Sequence, residues 1–137
     1  MGLYLNPNAD AFMEDKGTRI YVDKSLLIRE LNSIVSTKED FVCLSRPRRF
    51  GMSMAGNMIS AYYSKGCDTR EVFSQMKLGQ EPGFDKYLNK FNVIKLDLNG
   101  WYQNAIVENS VVSLIEEINK SLLVDFRKQF PEIDFEE

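Results

Sequence analysis

The sequence contains no histidine among its 137 residues. A serine or cysteine nucleophile therefore has no imidazole base, and the commonest metal ligand in proteins is missing. Its two cysteines, Cys43 and Cys67, lie far apart and form no C-x-x-C arrangement of the kind used for zinc or redox chemistry. These absences exclude most hydrolase mechanisms, and we expect neither a catalytic residue nor a metal site.

Long apolar runs are also missing, and the N-terminus is polar within a few residues. We therefore expect no transmembrane segment, no signal peptide and a cytoplasmic protein without a membrane partner. A net charge of -3 argues against general affinity for nucleic acid. The length and the hydrophobic content of 44% suit one domain over residues 1–137.

Apolar patterning predicts an α/β fold with a small sheet and flanking helices. Short runs rich in β-branched and aromatic residues predict strands at residues 18–22, 41–45 and 93–98. Cys43 is then a small buried side chain in the second strand. Apolar residues at helical intervals and turn residues predict helices at residues 24–35, with Asp23 as the cap, then 53–65, 69–76 and 84–89, and a long C-terminal helix at 103–129.

A degenerate phosphate-binding loop follows the second predicted strand. The motif reads G-x-x-x-x-G-K-[ST] between a strand and a helix, and this chain has Arg46-Pro-Arg-Arg-Phe-Gly-Met-Ser53 in that register. Gly51 allows the backbone to approach a phosphate at a helix N-terminus, where the dipole favours anions. Ser53 is placed to hold a magnesium ion. Met52 stands at the lysine position and supplies neither a hydrogen bond nor a positive charge.

Five segments together resemble the N-terminal region of the bacterial AAA-ATPase-like proteins. They are Leu3-Tyr-Leu-Asn-Pro7, Tyr21-Val-Asp-Lys24, Ser45-Arg-Pro-Arg-Arg-Phe-Gly51, Ala61-Tyr-Tyr-Ser-Lys-Gly-Cys-Asp68 and Val93-Ile-Lys-Leu-Asp97. Proteins of that family usually read Arg-Pro-Arg-Arg-Phe-Gly-Lys-Ser at the loop and often carry a nuclease domain downstream. The resemblance implies an incomplete P-loop NTPase-like fold.

Two departures from the family pattern indicate that this chain does not hydrolyse ATP. Met52 replaces the loop lysine, and the Walker B strand with its acidic residues is missing from these 137 residues. Asp97 is interpreted as a strand-end or helix-capping residue, because the matching strand of the family precedes the Walker B strand. We expect no cofactor, with ATP and magnesium bound weakly if at all.

Three functional hypotheses follow. The preferred one is a catalytically inactive ATPase-like binding protein, for example an inhibitor of a bacterial defence complex of the anti-CRISPR type, encoded by a mobile element. The second is an N-terminal fragment of an AAA-ATPase-like NTPase that binds ATP. The third is phosphate or nucleic-acid binding through the arginines of the loop, unless these pair with carboxylates; they are Arg46, Arg48 and Arg49.

A surface for a protein partner or a second copy is predicted on the long C-terminal helix. The strands at 41–45 and 93–98 lack the neighbours that the family fold provides, and unpaired strand edges and apolar surface favour association. The residues predicted to form this surface are Val111, Leu114, Ile118 and Leu122.

Overall fold

A computed structural model describes residues 4–45, 52–98, 101 and 111–134 of the chain. Its described part is helical and is built from five α-helices and one short 3-10 helix. These are α1 (Asp10–Lys16), α2 (Leu26–Ile34), α3 (Met52–Tyr63), α4 (Arg70–Ser74), the 3-10 helix (Lys77–Gln80) and α5 (Val111–Gln129).

The predicted α/β fold with a small sheet is wrong for the described residues. They contain two isolated bridges, an antiparallel one between Leu5 and Ile94 and a parallel one between Ser64 and Phe91, and no strand. Residues 18–22, 41–45 and 93–98 have the composition of strands, but a strand also needs a partner for its backbone groups. Residues 93–98 find that partner only briefly, where the Lys95 amide donates to the Tyr4 carbonyl at 2.9 Å.

The segment at residues 41–45 shows the clearest difference from the prediction. Phe41 is 95% exposed, and Val42 and Leu44 are exposed as well. Cys43, predicted to be buried in a strand, is also exposed. An apolar run indicates which residues would gain by burial, but the described elements offer this segment no surface to cover.

Most predicted helices are confirmed with shorter bounds. The structure shows α2, α3 and α4 inside the predicted ranges apart from Met52, and α5 ends at Gln129 as predicted. The beginning of the long helix, predicted near residue 103, lies outside the described residues. The helix predicted at 84–89 is wrong, because this stretch forms consecutive turns between two positive φ angles, 69° at Gly83 and 55° at Asn89.

The core lies between α1, α2, α3, α4 and the segments that connect them. Its largest fully buried side chains include Tyr62, Phe12 and Phe73. The rings of Phe12 and Phe73 stack with centroids 5.2 Å apart, and Tyr62 meets Phe73 edge-on at 5.4 Å. Such pairs contribute about 0.5–1.5 kcal/mol beyond the burial of their area. The aromatic cluster therefore fixes one face of α3 against α1 and α4.

Asn89 caps the C-terminal end of α3. Its Nδ2 group donates to the carbonyls of Ala61, Tyr62 and Ser64 at 3.0, 3.2 and 3.0 Å. Its Oδ1 atom accepts the Thr69 amide at 3.0 Å. The last carbonyls of a helix have no partner inside the helix, and this side chain adds a donor to carbonyls that also accept from Thr69 Oγ1, the Asn89 amide and the Cys67 amide. Asn89 itself has a φ of 55°, a left-handed conformation that asparagine tolerates.

Asp23 joins the start of α2 to the 3-10 helix. One carboxylate oxygen accepts the Ser25 amide and the other the Lys77 amide, both at 2.8 Å. Burial acts to raise the pKa of Asp23, but the hydrogen bonds from Ser25 and Lys77 outweigh it and lower the pKa below its usual value. The predicted cap is therefore wrong in position, because the N-cap of α2 is Ser25 and the helix begins at Leu26.

The C-terminal end of α5 binds the N-terminal segment. The buried carboxylate of Asp125 accepts the amides of Tyr4 and Leu5 at 2.7 and 3.1 Å. One turn later, Gln129 donates from Nε2 to the Leu5 carbonyl at 2.6 Å and accepts from Asn6 Nδ2 at 3.1 Å. These contacts fix residues 4–6, which in turn hold residues 93–95 beside α3.

Replacing Asn89 with alanine is expected to destabilise the fold by about 1–3 kcal/mol, because the Thr69 amide loses its acceptor, three carbonyls each lose one of their donors and alanine is strained at a left-handed position. Asn89→Gly loses the same side-chain hydrogen bonds without the backbone strain. Its free energy of unfolding should therefore lie between those of Asn89→Ala and the wild type. Asn92→Ala, which removes an acceptor at an exposed position, is the matched control. Urea denaturation measures all three, and an Asn89→Ala chain within 0.5 kcal/mol of wild type would contradict the capping role.

Candidate functional site

Four of the five predicted phosphate-binding residues lie outside the described part of the chain, namely Arg46, Arg48, Arg49 and Gly51. Their geometry therefore stays a prediction. The fifth, Ser53, is exposed in the first turn of α3, which begins at Met52. The amides of a first helical turn have no acceptor inside the helix, so Ser53 stands where an anion finds hydrogen-bond donors.

A second face of α3 points away from the aromatic core and is made of small and polar residues. Gly56, Asn57 and Ser60 follow Ser53 by three, four and seven positions, which places all four on one side of a helix. The core side of the same helix carries residues such as Tyr62. One helix therefore provides both the centre of the core and a polar surface.

This polar face borders a cleft of about 550 Å³, with residues 95–98 as its other wall. Ser53, Gly56 and Asn57 line it from α3, and Lys95 and Asp97 line it from the opposite side. A Cβ atom built at Gly56 meets no atom within 4 Å. The glycine thus contributes to the width of the cleft, because a larger side chain there would project into it.

Among the described residues that line this cleft, Lys95 is the one with a positive charge. It is partly buried between two exposed neighbours, Ile94 and Leu96. Its Nζ atom donates to Asn57 Oδ1, while Asn57 Nδ2 donates to Asp15 Oδ2 of α1 at 2.9 Å. No carboxylate in the described part of the chain forms an ion pair with Lys95. The ammonium group is therefore held at the cleft by a neutral amide and forms no direct ion pair with a described carboxylate, although Asp97 lines the same cleft.

A second cavity of about 310 Å³ adjoins the cleft and shares Asn57, Lys95 and Asp97 with it. Ser60 lines this cavity and is 5% exposed. Its Oγ atom is the only buried side-chain nitrogen or oxygen in the described residues without a hydrogen-bond partner. A buried hydroxyl without a partner costs stability, so Ser60 points to a missing interaction in this cavity.

Sequence reasoning missed Asn57, Ser60 and Lys95. The spacing from Ser53 to Ser60 was a usable signal, because it repeats small polar residues along one helix face. For Lys95 the signal was weaker, since its neighbours are apolar and an isolated lysine usually lies in solvent. Asp97, interpreted as a strand-end or helix-capping residue, is exposed and lines both cavities. No strand ends there, but the next residue, Leu98, is helical, which agrees with the capping alternative.

The predicted partner surface on α5 is only partly exposed. Val111 is 68% exposed, while Leu114, Ile118 and Leu122 are partly buried. More exposed apolar residues near the start of the helix are Val112 at 66% and Ile115 at 55%. An apolar surface on α5 therefore exists, but it is shifted around the helix from the predicted set.

Neither a metal site nor a membrane-spanning helix is found in the part of the chain that the structure describes. No group of three or more histidine, cysteine, aspartate or glutamate residues there could hold a metal ion. None of the described helices is long and apolar enough to cross a membrane.

Comparison with protein families gives a single informative result. A family model described as a predicted AAA-ATPase of the AAA-ATPase-like type matches residues 11–136. This match runs from the second residue of α1 past the end of α5 and includes both walls of the cleft. Comparisons with curated proteins and with solved structures gave no match.

Ser60→Ala is expected to raise the free energy of unfolding by about 0.5–2 kcal/mol, because it removes a buried hydroxyl without a partner and favours the helix. Ser64→Ala is the matched control, since the Ser64 hydroxyl donates to the Pro7 carbonyl at 3.2 Å and accepts the Gly66 amide at 3.0 Å. That variant should lose stability. Thermal and urea denaturation measure both, and a Ser60→Ala chain less stable than wild type would contradict the assignment.

Proposed function

Because this chain belongs to the predicted AAA-ATPase-like family, we propose that it binds the phosphate groups of a nucleotide at the first turn of α3 without hydrolysing the nucleotide. The observation that carries this proposal is the cleft of about 550 Å³ that both Ser53 and Lys95 line. This proposal keeps the ATP-binding part of the second hypothesis, in which the chain is a region of an AAA-ATPase-like NTPase.

The lining of the cleft suits a phosphate group. The N-terminal end of α3 provides the positive end of a helix dipole, which favours anions. Ser53 adds a hydroxyl donor, and Lys95 adds a positive charge that forms no ion pair with a described carboxylate, although Asp97 lines the same cleft. Donors and charge are therefore present on both walls, as recognition of an anion requires.

Absence of hydrolysis is proposed from the residue at the loop lysine position. Met52 has an uncharged side chain and cannot stabilise the charge that develops during phosphoryl transfer. One lost charge-assisted hydrogen bond is worth about 1.5–3 kcal/mol, which corresponds to roughly tenfold to a hundredfold in affinity. We therefore expect weak binding and no turnover.

Calorimetric titration with ATP and magnesium should give a dissociation constant in the high micromolar to millimolar range, and released phosphate should stay at the level of buffer. Met52→Lys should tighten binding about tenfold or more without restoring turnover. Met13→Lys is the matched control, because Met13 lies on α1, is exposed and lines neither cavity. Phosphate release by the wild-type chain, or equal tightening in both lysine variants, would contradict this account.

A second candidate function is association with a protein, supported by the exposed apolar residues of α5. Val111, Val112 and Ile115 lie close together on one side of the helix and are each more than half exposed. Apolar surface of this kind often marks an interface. Neither the fold nor the comparisons favour the narrower hypothesis of an anti-CRISPR inhibitor, so this candidate is limited to association.

The association candidate is tested by light scattering and by capture of a second, tagged copy of the chain. We expect concentration-dependent self-association that the double variant Val111→Glu and Ile115→Glu abolishes, because two charges cannot be buried at the interface. Lys120→Glu is the control, since it changes the net charge by the same amount at an exposed position of α5. A monomer at all concentrations would rule out self-association through α5.

A further inference from the structure

We infer that Lys95 supplies, from the side of the cleft, the positive charge for the nucleotide phosphates that Met52 cannot supply from the loop. This inference rests on the proposed nucleotide binding and names the residue and the subsite that would carry it. A lysine on the opposite wall of the cleft can bind the same phosphate. Recognition of a phosphate requires positive charge and hydrogen-bond donors, whichever segment of the chain supplies them.

The Lys95 ammonium group lies against the polar face of α3, beside the cleft. Its Nζ atom is in contact with Asn57 Oδ1, and Asn57 follows Ser53 by one helical turn, about 6 Å along the helix axis. Lys95 and Ser53 also line the same cleft. A lysine side chain is flexible, so the ammonium group can move from the amide of Asn57 to an anion at the end of α3.

Lys95 also differs from the other described cations of the fold, because it lies in a cleft without a direct ion pair. The described ion pairs use Arg29 with Glu30 and Glu81, and Arg70 with Asp85, all at partly or largely exposed side chains. Lys95 is partly buried and forms no ion pair with a described carboxylate. A partly buried cation of this kind gains more from an anionic ligand than a solvated lysine does, because screening by water is weaker.

Ser60 provides an independent sign of a ligand in the adjoining cavity. Its buried Oγ atom has no partner among the described residues, and Ser60 lines a space of about 310 Å³ that shares Lys95 with the cleft. Ser60 lies seven residues after Ser53, about 10 Å along the helix. A nucleotide spans such a distance, whereas inorganic phosphate does not. The sugar hydroxyls of a nucleotide can pair with Ser60 while its phosphates contact Lys95 and Ser53.

The inference is tested by calorimetric titration of the full chain with ATP, inorganic tripolyphosphate and adenosine. Lys95→Gln keeps a donor for Asn57 but removes the charge, and it should weaken ATP and tripolyphosphate about tenfold or more. Lys90→Gln, at an exposed position of the same segment, should leave both unchanged. Ser60→Ala should weaken ATP and adenosine several-fold without affecting tripolyphosphate.

A steric variant keeps the test independent of any single hydrogen bond. Gly56→Leu should preserve or raise the melting temperature, because a Cβ atom there meets no neighbour and leucine favours a helix. It should abolish binding of both ATP and tripolyphosphate by filling the cleft. If wild type binds ATP and Lys95→Gln binds it equally well, the role of Lys95 is disproved while nucleotide binding stands. If wild type binds no ATP, both proposals fail.

Discussion

The hydrogen bonds between Asn89 and the C-terminal carbonyls of α3 are the constraint on which the arrangement of the fold and the cleft depends. They connect the end of α3 to the turns that precede residues 93–98, so both walls of the cleft are positioned from the same point. Tyr62 adds a second anchor through the aromatic core. The far end of α3, at Ser53, remains exposed to a ligand.

The residues that reduce the stability of α3 lie on its polar face, which borders the cleft. Gly56 lowers helix stability by about 1 kcal/mol relative to alanine, and the Ser60 hydroxyl is buried without a partner. The core face of the same helix, with Met58, Ala61 and Tyr62, shows no such defect. Departures from local consistency in natural proteins tend to lie at functional sites. Their location therefore supports a binding role for the cleft independently of the family relationship.

The sequence predicted helices better than it predicted strands, for a physical reason. In α2 the apolar residues Leu27, Ile28 and Leu31 define a face by themselves, because helical hydrogen bonds are internal to the segment. A strand at 41–45 depends on neighbours that no local pattern reveals, and Phe41 is fully exposed to solvent in their absence. Lys95 was missed for a similar reason, since its role depends on contact with α3. The loop arginines lie outside the described residues and stay a prediction.

Residue-level nuclear magnetic resonance of the labelled chain during titration with ATP tests the central claim most directly. If the nucleotide binds in the cleft, the amide signals of Ser53, Asn57 and Lys95 should shift together in a saturable manner, while those at the end of α5 stay unchanged. The response should weaken as salt rises, because the contact is electrostatic. An absence of shifts at millimolar ATP, or shifts confined to α5, would contradict the account.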